Sequence, residues 1–399
     1  MAFIQINKRV VDTKPHFALF ESGFRPFFLG AALLSVISIT AWMLIYVFHF
    51  TLNTSLSITQ WHAHEMLYGY TMAVIAGFLL TAISNWTGIQ TIQGRKLAFV
   101  FLLWILARVL MFWGQPIFLT AAVDILFMLT LLCAVISPII RGHQRKQLGI
   151  ATKLTLLTIG NICFYLGAFG IIDRGIEWGL YGGLYVIVSL ILTISGRVMP
   201  AFIKNKVNYD LHISNPISLV LSNIFLFIIF LINQLFIKEQ NILLITSALL
   251  FVLNCIRLWH WHNKVIWQDP LLWSLYLSVV SITLGFLLYA LSALFLISPL
   301  IATHAFTFGG IGLATVGMMT RVILGHTGRD IRTTSPLTLF ALLLLVIGTL
   351  IRVIFPIFNP SNYLVWILIS QILWVSTFIM FLISYSYPLL TSRVDGQPG

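Results

Sequence analysis

An all-α, polytopic transmembrane helix bundle of about 12 spans is the fold class this sequence predicts, and three observations carry that reading. Of 399 residues, 59% are hydrophobic and 9% charged, with a mean hydropathy of +0.98, whereas a soluble domain carries roughly a quarter charged residues. The apolar residues form continuous runs, and crossing about 30 Å of hydrocarbon takes roughly 20 residues of helix; these runs are unlike the alternating ten-residue segments of a β-barrel. Lys and Arg gather in every second joint, as they do in cytoplasmic loops.

Lys8, Arg9 and Lys14 precede the first run, 24–48, and Arg25 opens it; the second, 62–84, is followed by Arg95 and Lys96. The third, 96–113, passes through Trp113-Gly114-Gln115-Pro116 into the fourth, 117–140, a joint made of helix-terminating residues. Arg141, Arg145, Lys146 and Lys153 lead into the fifth, 150–171, and Arg174 precedes the sixth, 178–201, which ends among Arg197, Lys204 and Lys206. Lys238 separates the seventh, 216–236, from the eighth, 241–260, and Arg257 and Lys264 come next. The ninth, 271–293, reaches the tenth, 301–323, through Ser298-Pro299, and Arg321, Arg329 and Arg332 close that pair. Ser335-Pro336 starts the eleventh, 335–356, and Phe358-Asn359-Pro360 separates it from the twelfth, 363–387, with Arg393 beyond. Nineteen of the 23 bases thus fall on one side. Both termini are expected in the cytoplasm, with segments 1–23 and 389–399 flanking a membrane domain at 24–388.

The net charge of +12 is scattered between apolar runs rather than gathered on one face, which excludes a nucleic-acid binder. Cys133, Cys163 and Cys255 stand singly in apolar segments and read as packing residues, not as a disulfide framework or metal cluster. The first twenty residues lack a continuous apolar core, so no cleavable signal peptide is expected. Walker, Rossmann and HExxH strings do not occur.

Charges inside a bilayer need a partner, a route to the interface or a wet cavity. Arg108 and Asp124 flank the 113–116 turn at similar depth, which predicts an ion pair, either a structural tie or a proton or ligand site. Arg352 lies near an outer span end and is expected to snorkel. The second span opens with Trp61-His62-Ala63-His64-Glu65-Met66. His62, Glu65 and Met66 can share a helix face, whereas His62 and His64 stand about 200° apart, so one metal cannot take both without unwinding the turn. Imidazole with thioether suits copper, and imidazole suits haem iron; interfacial histidines that only hydrogen-bond give the same pattern.

The tenth span also opens with a histidine, His304. Laying His64 on it is an offset of 240 residues that places Gly69 on Gly309, Gly77 on Gly317 and Thr87-Gly88 on Thr327-Gly328. This reads as an internal repeat, with glycines that admit a close neighbour, whether helix or flat cofactor. If the two spans face each other, His64 and His304 ligate one centre from opposite sides. A second polar set lies at the cytoplasmic ends: Arg25, Arg197, Arg321, His326 and Arg329. Seventeen residues, about 25 Å of helix, separate His304 from Arg321, so these arginines form a second site or anchor the spans. His260 and His262 alternate with tryptophans as in an interfacial belt, and His16, His49, His143 and His212 read as solvated.

The strings ESGFRPFFLG from Glu21, WHAHEMLYGY from Trp61, AGFLLTAISNWTG from Ala76, GRVMPAF from Gly196, HAFTFGGIG from His304 and MMTRVILGHTGR from Met318 resemble the NnrS family over residues 20 to 390. That resemblance implies a bacterial inner-membrane protein with haem and copper, tied to the nitric oxide response. By its motifs it points to Arg25, His62, His64, Glu65, Arg197, His304, Arg321, His326 and Arg329. The resemblance does not fix which histidine holds iron and which copper; the pairing expected here is His64 with His304 at haem and His62, with Met66, at copper, His326 being the alternate ligand. Replacing His64 or His304 by Ala should then abolish a low-spin haem spectrum. The haem–copper oxidase subunit is disfavoured, since no adjacent His-His pair occurs. The expected function is binding or disposal of nitric oxide or iron-nitrosyl species; the alternatives are a secondary transporter and a non-catalytic membrane partner of denitrification proteins.

Overall fold

A computed structural model describes residues 16–52, 54–114, 116–207 and 213–397. Lys8, Arg9, Lys14, Gln115 and His212 lie outside the described residues. Twelve helices are long and apolar enough to cross a membrane: α1 (Phe24–Tyr46), α2 (Ile58–Thr87), α3 (Gly94–Trp113), α4 (Ile117–Arg141), α5 (Arg145–Ala168), α6 (Gly175–Lys204), α7 (Ile217–Ile237), α8 (Gln240–Trp261), α9 (Pro270–Ala293), α10 (Pro299–His326), α11 (Pro336–Phe358) and α12 (Pro360–Leu390). Each coincides with one predicted run, with ends displaced by five residues or fewer. The chain is a multi-pass membrane protein.

Local chemistry sets the ends. Asp269, Ser298 and Ser335 cap α9, α10 and α11 by accepting backbone N–H groups, each followed by a first-turn proline whose missing N–H costs nothing there. α2 starts one turn earlier than predicted because Ser57 and Gln60 form a reciprocal capping box. His62 therefore sits inside a formed helix. Gly88 ends α2 at φ 69°, which a side chain would resist.

α2, α9 and α10 are the most buried spans, while the others leave half or more of their apolar window facing outward. α2 and α10 meet through Tyr70 and Thr315, whose hydroxyls lie 2.5 Å apart. The N- and C-terminal segments pair beside each other, with Ala18 N–H donating to Leu390 O and Ser392 N–H to His16 O. Both therefore leave from one end of the bundle, the terminal end; the opposite one is the distal end.

The internal repeat extends to the backbone. In α2 the α-helix runs to His64 and widens to a π turn over Glu65–Thr71; in α10 it runs to His304 and widens over Ala305–Ile311, again 240 residues on. Of the repeated glycines, Gly69, Gly77, Gly309 and Gly317 each pack against a side chain of a neighbouring helix. A Cβ at Gly69 would lie 2.8 Å from Leu34 and 3.2 Å from Arg108, one at Gly77 2.7 Å from Phe28, and one at Gly309 2.6 Å from Ser281.

Candidate functional site

The histidines precede the wide turns and lie in regular helix. Within the regular turn His62 and His64 point apart, as their spacing requires, and their neighbours then give them different surroundings. His64 is fully buried, with its ring 4.3 Å from that of Phe164 and Nε2 3.0 Å from Asn161 Oδ1. Asn161 Nδ2 donates to Asp124 (3.0 Å), so its Oδ1 is the atom left for His64, and that Nε2 carries a hydrogen. Arg108 joins Glu65 Oε1 (2.6 Å) to Asp124, and Tyr165 also donates to Asp124 (3.0 Å). The expected Arg108–Asp124 pair is present, and Glu65 extends it to a buried trio with one cation between two carboxylates.

His62 turns the other way, stacked on Trp42 with 4.3 Å between ring centres and 12° between planes. It lines a distal cavity of about 300 Å³ together with Met66, His304, Arg352, Gln371 and Tyr70. His64 does not line this cavity. The pairing of His64 with His304 is therefore corrected: α5 takes His64 into the ionic cluster through Asn161 and Phe164, and His62 is the imidazole that shares a space with His304.

His304 Nδ1 lies 2.7 Å from the Leu300 carbonyl, which can only accept, so Nδ1 holds the proton and Nε2 presents a lone pair. That lone pair accepts from Arg352 Nη2 at 3.0 Å. Arg352 is 8% exposed and turned inward, with Tyr363 OH 3.5 Å away, which corrects the expectation that it snorkels. Among the described residues no carboxylate forms an ion pair with it. Buried polar atoms without a partner among the described residues also belong to this cavity: His62 Nδ1 and both amide atoms of Gln371. The Gln371 amide offers a donor and an acceptor and Arg352 offers further donors, so the cavity suits a polar or anionic guest. No three His, Cys, Asp or Glu side chains gather into a metal cage among the described residues, so the donor set is two imidazoles and the Met66 thioether.

The second polar set lies at the terminal end, on other partners. Arg25 Nη1 donates to the carbonyls of Pro388, Leu389 and Thr391, capping the end of α12. Arg197 donates to Gln147 and the Lys146 carbonyl, and Arg321 stacks on Phe202 at 4.1 Å, 3.9 Å from Asp269. His326 Nε2 is 3.4 Å from Asn85, and Arg329 keeps a buried Nη1 without a partner. None of these five residues lines the distal cavity. His326, the alternate ligand expected from the sequence, lies at the terminal end, outside the cavity that His304 lines. Arg352, Gln371 and Trp42 were not among the predicted site residues. Gln371 had a signal, an amide within the apolar run 363–387.

A family model described as "NnrS protein" matches residues 18–393. No curated protein matches the chain.

Proposed function

This chain belongs to the NnrS family, and on that footing we propose that it is a membrane protein of the nitric oxide response. In this reading it holds a haem and copper at the distal cavity and binds, or helps dispose of, nitric oxide or iron-nitrosyl species in a bacterial inner membrane. One observation carries the reading: His62 and His304, from spans far apart in sequence, line one cavity together with Arg352, which has no carboxylate partner among the described residues. The donors would have to be divided between the two groups: His304 would hold haem iron, and His62 with the Met66 thioether would hold copper(I). About 300 Å³ is the low end for cofactor pockets, and the His304 Nε2 lone pair would be free for a metal only where Arg352 released it.

A haem iron supplies direct binding of the diatomic and one-electron chemistry. The residues of the chain do the rest. The Leu300 carbonyl orients His304 and fixes its tautomer, the outer-shell arrangement that raises ligand basicity. Arg352 and Gln371 offer donors for a carboxylate or an anionic guest, and Trp42 fixes the plane of His62. The Glu65–Arg108–Asp124 trio holds the turn between His62 and Met66 against α3 and α4.

The test is an optical spectrum with metal analysis of the purified full-length chain and three variants. His62→Ala and His304→Ala should each lose the low-spin haem band or the copper, while His64→Asn keeps both. Metal content unchanged in His62→Ala and His304→Ala, or lost only in His64→Asn, would refute the assignment. A colourless, metal-free wild type would favour the transporter reading. The repeat, however, relates α2 to α10 with the same direction through the membrane, eight spans apart, and not as the inverted halves common in secondary transporters.

A further inference from the structure

We propose that a second, apolar pocket between α2, α6 and α10 binds small uncharged gases of diatomic size and passes them to the histidine cavity. The pocket holds about 70 Å³ and is lined by aliphatic and aromatic side chains with three hydroxyls, Thr71, Ser195 and Thr315, and no charged group. A single water needs only about 10–15 Å³, but it also needs two to four polar partners. Two of the three hydroxyls are engaged. Thr71 donates to the Met66 carbonyl at 2.7 Å, and Thr315 to the Ile311 carbonyl at 2.7 Å. With those two hydrogens used, Ser195 is the one of the three with a donor left, and the rest of the lining is apolar, so an apolar guest is favoured.

Its position gives the pocket a use. Thr71 lines both cavities, and its hydrogen bond to Met66, itself a wall of the histidine cavity, crosses the partition between them. That partition is the end of the π turn Glu65–Thr71. On the far side the rim is formed by Phe78, Ile191, Ile194, Val198 and Met318, all partly exposed, so the pocket opens between spans and not at the distal surface. Uncharged gases dissolve in hydrocarbon more readily than in water, while ions and polar solutes are excluded from such a path. The pocket thus filters its guests by polarity before they reach the imidazoles. That nitric oxide is the passenger rests on the functional reading above; the preference for an apolar gas rests on the lining alone.

Xenon is the probe, applied under pressure to crystals of the full-length protein and located by anomalous scattering. The wild type should show one xenon atom among Ile75, Ile191 and Ala314. Ser195→Val and Ala314→Val, which fill the pocket from opposite walls, should each abolish that peak at the same pressure; two variants guard against one failing to fold. Metal content and absorption spectrum, measured on the same preparations, should stay at wild-type values, so loss of the pocket and loss of the cofactor reading are seen separately. Absence of xenon in the wild type, an ordered water or acyl chain in its place, or a peak that persists in both variants overturns the proposal.

Discussion

Arg108→Met is the substitution that tests the buried ionic trio most directly. It leaves Glu65 and Asp124, both 0% exposed, without the cation they share. At an effective dielectric of about 20, one pair of charges at the 2.6 Å Arg108–Glu65 separation attracts by roughly 6 kcal/mol. Desolvation offsets much of this when the whole pair forms, but removing one partner exposes the uncompensated remainder, about 3–5 kcal/mol. The expected destabilisation of Arg108→Met is therefore about 3–5 kcal/mol. Neutralising all three, in Glu65→Gln, Arg108→Met and Asp124→Asn together, should recover most of that loss, because no unpaired charge is left buried. Reversible unfolding in mixed detergent–SDS micelles, followed by tryptophan fluorescence, measures both. A single variant within about 1 kcal/mol of wild type, or a triple variant no better than the single, would refute the view that charge compensation governs this cluster. Retention of metal by the triple variant is also expected, since the trio supports the turn carrying His62 and does not line the cavity.

Arg352→Gln should keep metal binding by the imidazoles yet weaken retention of a carboxylate-bearing cofactor about tenfold, the factor carried by one charge-assisted hydrogen bond of roughly 1.5 kcal/mol; cofactor dissociation followed by absorbance reads it. Gly69→Ala and Gly309→Ala should each cost about 1–3 kcal/mol in the same SDS titration, because the new methyl meets Leu34 at 2.8 Å or Ser281 at 2.6 Å. At the terminal end two hydrogen bonds from Arg393 hold Asp395 down from its ordinary 3.8 to about 2. The folded value lies below the unfolded one, so this contribution is complete above about pH 4 and vanishes as pH falls through 2. The same arginine bonds the His326 carbonyl at 3.1 Å. Asp395→Asn should therefore speed hydrogen exchange of the 391–397 tail at neutral pH and remove its acid dependence; an exchange rate equal to wild type would mean that Asp395 does not hold the tail.

Several features of the site were legible before any coordinates. Arg108 and Asp124 flank a turn at about seven and nine residues, so helix rise brings them to similar depth, and the 100° step per residue separates His62 from His64. The 240-residue offset seen in glycines and histidines reappears as matched π turns, because the same local pattern builds the same backbone in both spans. The distance from His304 to Arg321 placed the arginine set at the other end, where it is found. Arg352 was misread because its position near a span end is equally compatible with snorkelling; its inward turn depends on Tyr363 and His304, which lie on other helices.

Periodicity, charge and spacing along the chain determined the twelve helices, their breaks and the opposed directions of His62 and His64, since these follow from hydrogen bonding and geometry within a few turns. Which of those two directions became the cavity was decided in three dimensions. Asn161 and Phe164 of α5 enclose His64, while Trp42 of α1, Arg352 of α11 and Gln371 of α12 surround the space that His62 shares with His304. Contacts between helices so distant in sequence depend on how all the spans pack together, and side-chain volumes at those crossings leave no periodic trace in the sequence.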